Sequence, residues 1–102
     1  MTQWKRQTPA RPGTYEFSGF ALATRGVAEV LSKSEIKAII QDVRHAVAEA
    51  GGLDYLQIYK NDSGEKLYVI DQLNREMLAS DGYTEEQKQK YNYFTIILPE
   101  EY

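Results

Sequence analysis

The sequence predicts an α+β fold: an antiparallel β-meander packed against one long amphipathic helix, with a second C-terminal helix or strand. Three observations predict it. Ile36, Ile39, Ile40, Val43, Val47 and Ala50 recur at helical spacing and end at Gly51-Gly52. Residues 54–60 and 66–71 are two runs rich in Tyr, Leu, Ile and Val, separated by the turn-forming Asn61-Asp62-Ser63-Gly64-Glu65. Thr84-Glu85-Glu86-Gln87 has the spacing of a capping box and opens a further helix that runs to about Tyr91.

Each element follows from its residues in order. Residues 1–13, MTQWKRQTPARPG, carry three cations, two prolines and no apolar period, so they read as an extended or mobile basic arm. Trp4 within it either pins the arm to the domain or joins a partner contact. A single α+β domain then spans residues 14–102. Thr14 to Thr24 alternates as a strand with a glycine irregularity at Gly19. Arg25-Gly26 breaks it, and Val27 to Leu31 suits a short strand or a helical turn. Ser34 is the expected N-cap of the long helix, with Glu35 favourable in its first turn. In the hairpin, Leu56 and Ile58 face one way and Tyr55, Gln57 and Tyr59 the other, while Leu67 and Val69 alternate with Tyr68 and Ile70. One face forms the core and the other is tyrosine-rich. Glu76 to Ser80 is expected to return as the third strand of the meander. Tyr93 to Leu98 suits a strand by propensity and a helix by the stripe Gln87, Tyr91, Phe94, Leu98, and Pro99 ends either.

Composition removes several classes of function. The 102 residues hold no cysteine and one histidine, so thiolate metal sites, cysteine nucleophiles, disulfides and multi-histidine sites within one chain are excluded. No apolar run reaches the ~18 residues of a membrane span, and no secretory pattern opens the chain, so the expectation is a cytoplasmic protein with no membrane association. Twelve basic and 15 acidic side chains leave a net charge of −3. That total conceals +3 over residues 1–13, −1 over 14–60 and −5 over 61–102. An acidic half disfavours direct binding of nucleic acid, since each phosphate contact needs a cation, and suits docking on a basic protein partner.

Catalytic signatures are missing. There is no P-loop, G-x-G-x-x-G, G-x-S-x-G, H-E-x-x-H or EF-hand loop, and the turn 61–65 lacks the spaced carboxylates that calcium requires. His45 lies opposite the apolar stripe of its helix, with Asp42 and Glu49 three and four residues away, and is expected to face solvent. The expectation is therefore a protein that is not an enzyme, with no cofactor, no metal and no catalytic residues. Candidate interaction residues are the tyrosines Tyr55, Tyr59 and Tyr68, which offer broad contact with a polar tip, and the paired carboxylates Glu85, Glu86, Glu100 and Glu101.

Thr24-Arg25-Gly26-Val27, Val43-Arg44, Gly64-Glu65-Lys66 leading into Ile70-Asp71, Ser80, and Thr95-Ile96-Ile97-Leu98 with Glu101-Tyr102 resemble, in that order, a family of small uncharacterised bacterial proteins often carried on plasmids and phages. The resemblance spans residues 14–102 and implies a compact α+β fold and a life on mobile DNA. It carries over no catalytic residue. The function expected from these readings is a small accessory or inhibitor protein of a mobile element. It would bind a host protein or a nucleic-acid-handling defence complex through an acidic, tyrosine-rich surface, with a homodimer as a further arrangement. Two alternatives stand beside it: a small enzyme or ligand-binding protein with a cleft near Asp71, Tyr68 and His45, and a nucleic-acid binder acting through Lys5, Arg6 and Arg11 of the arm.

Overall fold

A computed structural model describes residues 4–7 and 12–102. Their fold is α+β: a mixed five-stranded sheet carrying one 18-residue helix and several shorter ones. In chain order the elements are β1 (Trp4–Arg6), β2 (Pro12–Tyr15), β3 (Phe20–Ala23), α1 (Arg25–Val30), α2 (Lys33–Ala50), β4 (Leu56–Asn61), β5 (Lys66–Asp71), α3 (Arg75–Ala79), α4 (Glu85–Tyr91), β6 (Tyr93–Ile97) and a closing 3₁₀ turn (Pro99–Glu101). The sheet order is β1-β4-β5-β6-β3, antiparallel throughout except for the parallel pair β3–β6. Strand β2 lies outside this sheet and reaches the start of the hairpin through a bridge between Tyr15 and Leu53.

Helix α2 forms where its apolar period predicts, but one turn boundary differs. Its N-cap is Ser32, not Ser34: the Ser32 hydroxyl accepts the Glu35 N–H at 3.1 Å and the Glu35 carboxylate accepts the Ser32 N–H at 3.0 Å. This reciprocal box satisfies two otherwise orphaned donors, which a cap at Ser34 would not. Gly51 ends the helix in the left-handed region at φ 75°, where a side chain would be strained. Ile39, Val43 and Ala46 face the sheet and pack with Tyr59, Leu67, Val69, Phe94 and Ile96; Val27 and Leu31 after β3, together with Phe17 and Leu53, complete the core. At about 1.5–3 kcal/mol for each fully buried large apolar side chain, this packing and not helix capping dominates stability.

The sheet is mixed, because β3 pairs parallel with β6, where the sequence predicts an antiparallel meander, and the strand beside β5 is not residues 76–80. Asn74 caps the Met77 N–H at 2.8 Å, turning 75–79 into the short helix α3. The place beside β5 is taken by β6, which resolves 93–97 as a strand with Phe94 and Ile96 inward. Residues 27–30 are helical, within α1. The Thr14–Thr24 segment is divided into β2 and β3 by residues 16–19, with Phe17 in the left-handed region at φ 50° and a bend at Gly19. Phe17 is fully buried there, edge-on to Phe94 with ring centroids 5.5 Å apart. The segment read as a basic arm contributes β1, the edge strand paired with β4. Trp4 Nε1 donates to Glu35 Oε2 at 3.1 Å, tying that strand to α2. Residues 1–3 and 8–11, including Arg11, lie outside the described residues.

Candidate functional site

Side-chain alternation gives the sheet two unlike faces. Tyr59, Leu67, Val69, Asp71, Phe94 and Ile96 point toward α1 and α2 and are buried. The intervening residues point away from both helices. Their registers arrange them in four cross-strand rows. Lys5, Lys60 and Lys66 form the first, on β1, β4 and β5. Ile58, Tyr68 and Ile97 form the second, and Leu56, Ile70, Thr95 and Leu22 the third. Tyr93 and Phe20 form the fourth. The face thus grades from cationic at one end, through aliphatic, to aromatic at the other.

Exposure is highest at the two ends of the face and lowest in the rows between. Ile58, Tyr68, Ile97, Leu56 and Ile70 are half-buried among their neighbours, whereas Leu22 is 47% and Phe20 71% exposed. Apolar side chains left open in a contiguous set, with polar groups at the margin, mark a contact surface more often than scattered ones do. The three lysines are exposed, and among the described residues none forms an ion pair. Like charges directly opposite on neighbouring strands destabilise a sheet, so nothing in the fold itself calls for this row. Beside it lies an open depression of about 500 Å³ lined by Lys5, Arg6, Gln7, Lys60, Asn61 and Asp62, in which Asp62 is the one carboxylate.

The predicted tyrosine surface is partly reassembled. Tyr68 meets the C-terminal Tyr102 edge to face at 5.4 Å, and Tyr55 lies 6.1 Å from Tyr15. The hydroxyl of the neighbouring Tyr102 raises the Tyr55 hydroxyl above the usual phenol range. Tyr59 does not belong to this surface. It is fully buried on the helix-facing side, where its hydroxyl donates to Asp42 Oδ2 at 2.6 Å. Burial, then the Asp42 carboxylate, holds it protonated far above the phenol range. Arg6 Nε lies 3.5 Å from the same Asp42 oxygen, so Arg6 and Lys5 point to opposite faces of the sheet.

The candidate carboxylates divide between two elements. Glu85 and Glu86 occupy the first turn of α4, with Glu85 paired to Lys88 at 3.3 Å. Glu100 is exposed in the closing turn, but Glu101 folds back. Its Oε1 accepts Thr24 Oγ1 at 2.7 Å and the Leu98 N–H at 2.9 Å, and the backbone bond lowers its pKa. Thr24 is also the N-cap of α1, and a Cβ at Gly26 would lie 3.0 Å from Glu101 Oε2. Thr24, Gly26 and Glu101 therefore form one clasp between the start of α1 and the closing turn.

Asp71, Tyr68 and His45 do not converge. Asp71 is buried on the helix side of β5, where Oδ2 accepts the Phe17 N–H and Oδ1 the Gln72 N–H, each at 3.0 Å. Tyr68 is on the opposite face. His45 stands on the outer surface of α2 with Nε2 2.9 Å from Glu49 Oε1, and its side chain is 73% exposed. Among the described residues no group of three or more His, Asp or Glu side chains is gathered to hold a metal ion, and no helix is long and apolar enough to cross a membrane. Sequence reading passed over Lys60, Lys66, Leu22 and Phe20, because they become a surface only once the strand registers are known. No protein-family model, curated protein or solved structure matches the chain.

Proposed function

We propose that this chain is a protein-binding domain without chemistry of its own, which docks a partner on the graded open face of its sheet. The observation that carries this reading is the succession of rows from Lys5-Lys60-Lys66 through Ile58-Tyr68-Ile97 and Leu56-Ile70-Thr95-Leu22 to Tyr93-Phe20. Such a face complements a partner segment that carries an apolar stripe with carboxylates at one end. Aliphatic side chains dominate the middle rows, which favours a protein over nucleic acid, whose bases need flat aromatic platforms for stacking. The partner-facing charge in this reading is the lysine row and not the acidic C-terminal portion. A domain that binds in this way serves as an accessory or inhibitor by occluding its partner's surface; the setting of a mobile element and a host or defence-complex target rests on the family resemblance.

The test is capture from nuclease-treated lysate by immobilised chain, comparing the double variant Lys60→Glu/Lys66→Glu with Glu85→Lys/Glu86→Lys. Both pairs are exposed, so folding is expected to survive in each. Retention of the partner should fall about tenfold or more in the lysine variant, through like-charge opposition, and persist in the glutamate variant. Loss that instead follows Glu85 and Glu86 would place the docking surface on α4 and overturn the reading.

A further inference from the structure

The two edges of the sheet are built differently. Edge strand β1 reads Trp-Lys-Arg, and cations on an edge discourage a second chain from adding to it. Edge strand β3 reads Phe-Ala-Leu-Ala, with no charge, no proline and no bulge. Its inner side is occupied by β6: the Phe20 N–H donates to Asn92 O and the Thr24 N–H to Ile96 O, each at 3.2 Å. By strand alternation the N–H and C=O groups of Ala21 and Ala23 point away from the sheet.

We propose that β3 is a self-pairing edge, on which a second copy of this chain adds its own β3 antiparallel, so that two sheets join into one. A two-fold arrangement in which Ala21 of each copy pairs with Ala23 of the other satisfies all four outward groups on each strand. The same register sets Leu22 opposite Leu22 of the second copy in a close non-hydrogen-bonded pair, covering a side chain that is 47% exposed in the single chain. Because β3 carries no charge, two copies meet without like-charge opposition, which the same pairing at β1 would impose on Lys5 and Arg6. The occupant is thus a second copy at the edge; it covers Leu22, and the rest of the open face stays available to the partner of the preceding reading. Directly opposed residues of an antiparallel pair share a face, so the Leu22 pair sets both open faces on the same side of the joined sheet.

A four-residue ladder buries less than the ~1,200 Å² of a standard interface, so association is expected to depend on concentration. Sedimentation equilibrium of the purified full chain, with no partner present, should show 11.7 kDa chains passing to twice that mass between about 10 μM and 1 mM. Ala21→Pro removes an outward N–H that the β3–β6 ladder does not use, and Leu22→Lys places a charge at the centre of the pair. Either variant, checked for an unchanged circular dichroism spectrum, should remain a single 11.7 kDa species over the same range. A wild-type chain that stays monomeric throughout, or a dimer that persists in whichever of the two variants is folded, overturns the proposal. Because no partner enters the experiment, its failure leaves the reading of the open face intact.

Discussion

The carboxylate of Asp71 sits in the core-facing row of β5 and accepts two backbone amides, one of them from the left-handed Phe17. A bulky residue in that region costs about 1–3 kcal/mol, and the Asp71 bond together with the Phe17–Phe94 contact holds it there. Burial raises the Asp71 pKa above the ordinary carboxyl value, outweighing the two amides. Glu35 and Glu101 move the other way, each lowered chiefly by a backbone N–H. The consequences have opposite signs. The stabilisation from Glu35 and Glu101 is present above their unfolded values and is lost as pH falls through their lowered folded values. The protonated form of Asp71 suits the fold, so its contribution falls as pH rises from the unfolded value to the raised folded one. Carboxyl-carbon NMR titration should find Asp71 titrating above the ordinary range and Glu101 below it; an Asp71 midpoint at or below the ordinary value would contradict the burial argument. None of this was legible at the level of residue type. Tyr55, Tyr59 and Tyr68 look alike in the sequence, yet the face that α2 covers separates Tyr59, in the core, from Tyr68, and Tyr55, which shares the parity of Tyr59, lies before the start of β4 and is exposed. Both faces of that hairpin are largely apolar, so the pattern leaves the choice open.

At the scale of elements, what could be read was local. The α2 stripe, the 61–65 turn and the Thr84–Gln87 box each lie within a few residues of their own signals, and each forms as expected. The Asn61 side chain closes its turn by accepting the Ser63 and Glu65 N–H groups at 3.0 and 2.9 Å. Ser32 also had a signal, its three-residue spacing to Glu35, which the neighbouring Ser34 obscured. Replacing Ser32 by Ala should lower stability by about 1 kcal/mol, whereas Ser34→Ala, inside the first turn, should change it by a few tenths at most. Urea denaturation of the two variants checks this, and equal losses would refute the Ser32 cap. Non-local pairing was the illegible part. Strand β6 enters between β5 and β3 more than twenty residues after the hairpin, and its parallel partner β3 lies more than seventy residues upstream. Short Asn-capped α3 looked like a strand because five residues carry too little periodicity to separate the two.

The whole molecule is a sheet with one face closed by α1 and α2 and the other touched at Tyr68 by Tyr102 after the closing turn, and its two edges are opposite in character. Lys5, Lys60 and Lys66 come from segments of the chain with quite different local charge, so charge along the sequence pointed to the acidic C-terminal portion instead. Folding distributes those acids among the 61–65 turn, the buried Asp71, α3, α4 and the Glu101 clasp, and it gathers the three lysines into one row. The proposed interaction surface is therefore a property of register, and its contents follow from no single segment.

The most direct measurement of that claim is photocrosslinking in lysate from a photoreactive benzophenone side chain placed at position 68, in place of Tyr68 at the centre of the open face, with the same probe in place of His45 on the outer surface of α2 as comparison. The expected result is a discrete adduct from position 68, mapped to a partner segment that combines an apolar stripe with carboxylates, reduced when Lys60 and Lys66 are changed to Glu, and not formed from position 45. No adduct from position 68, or the same adducts from both positions, would contradict it.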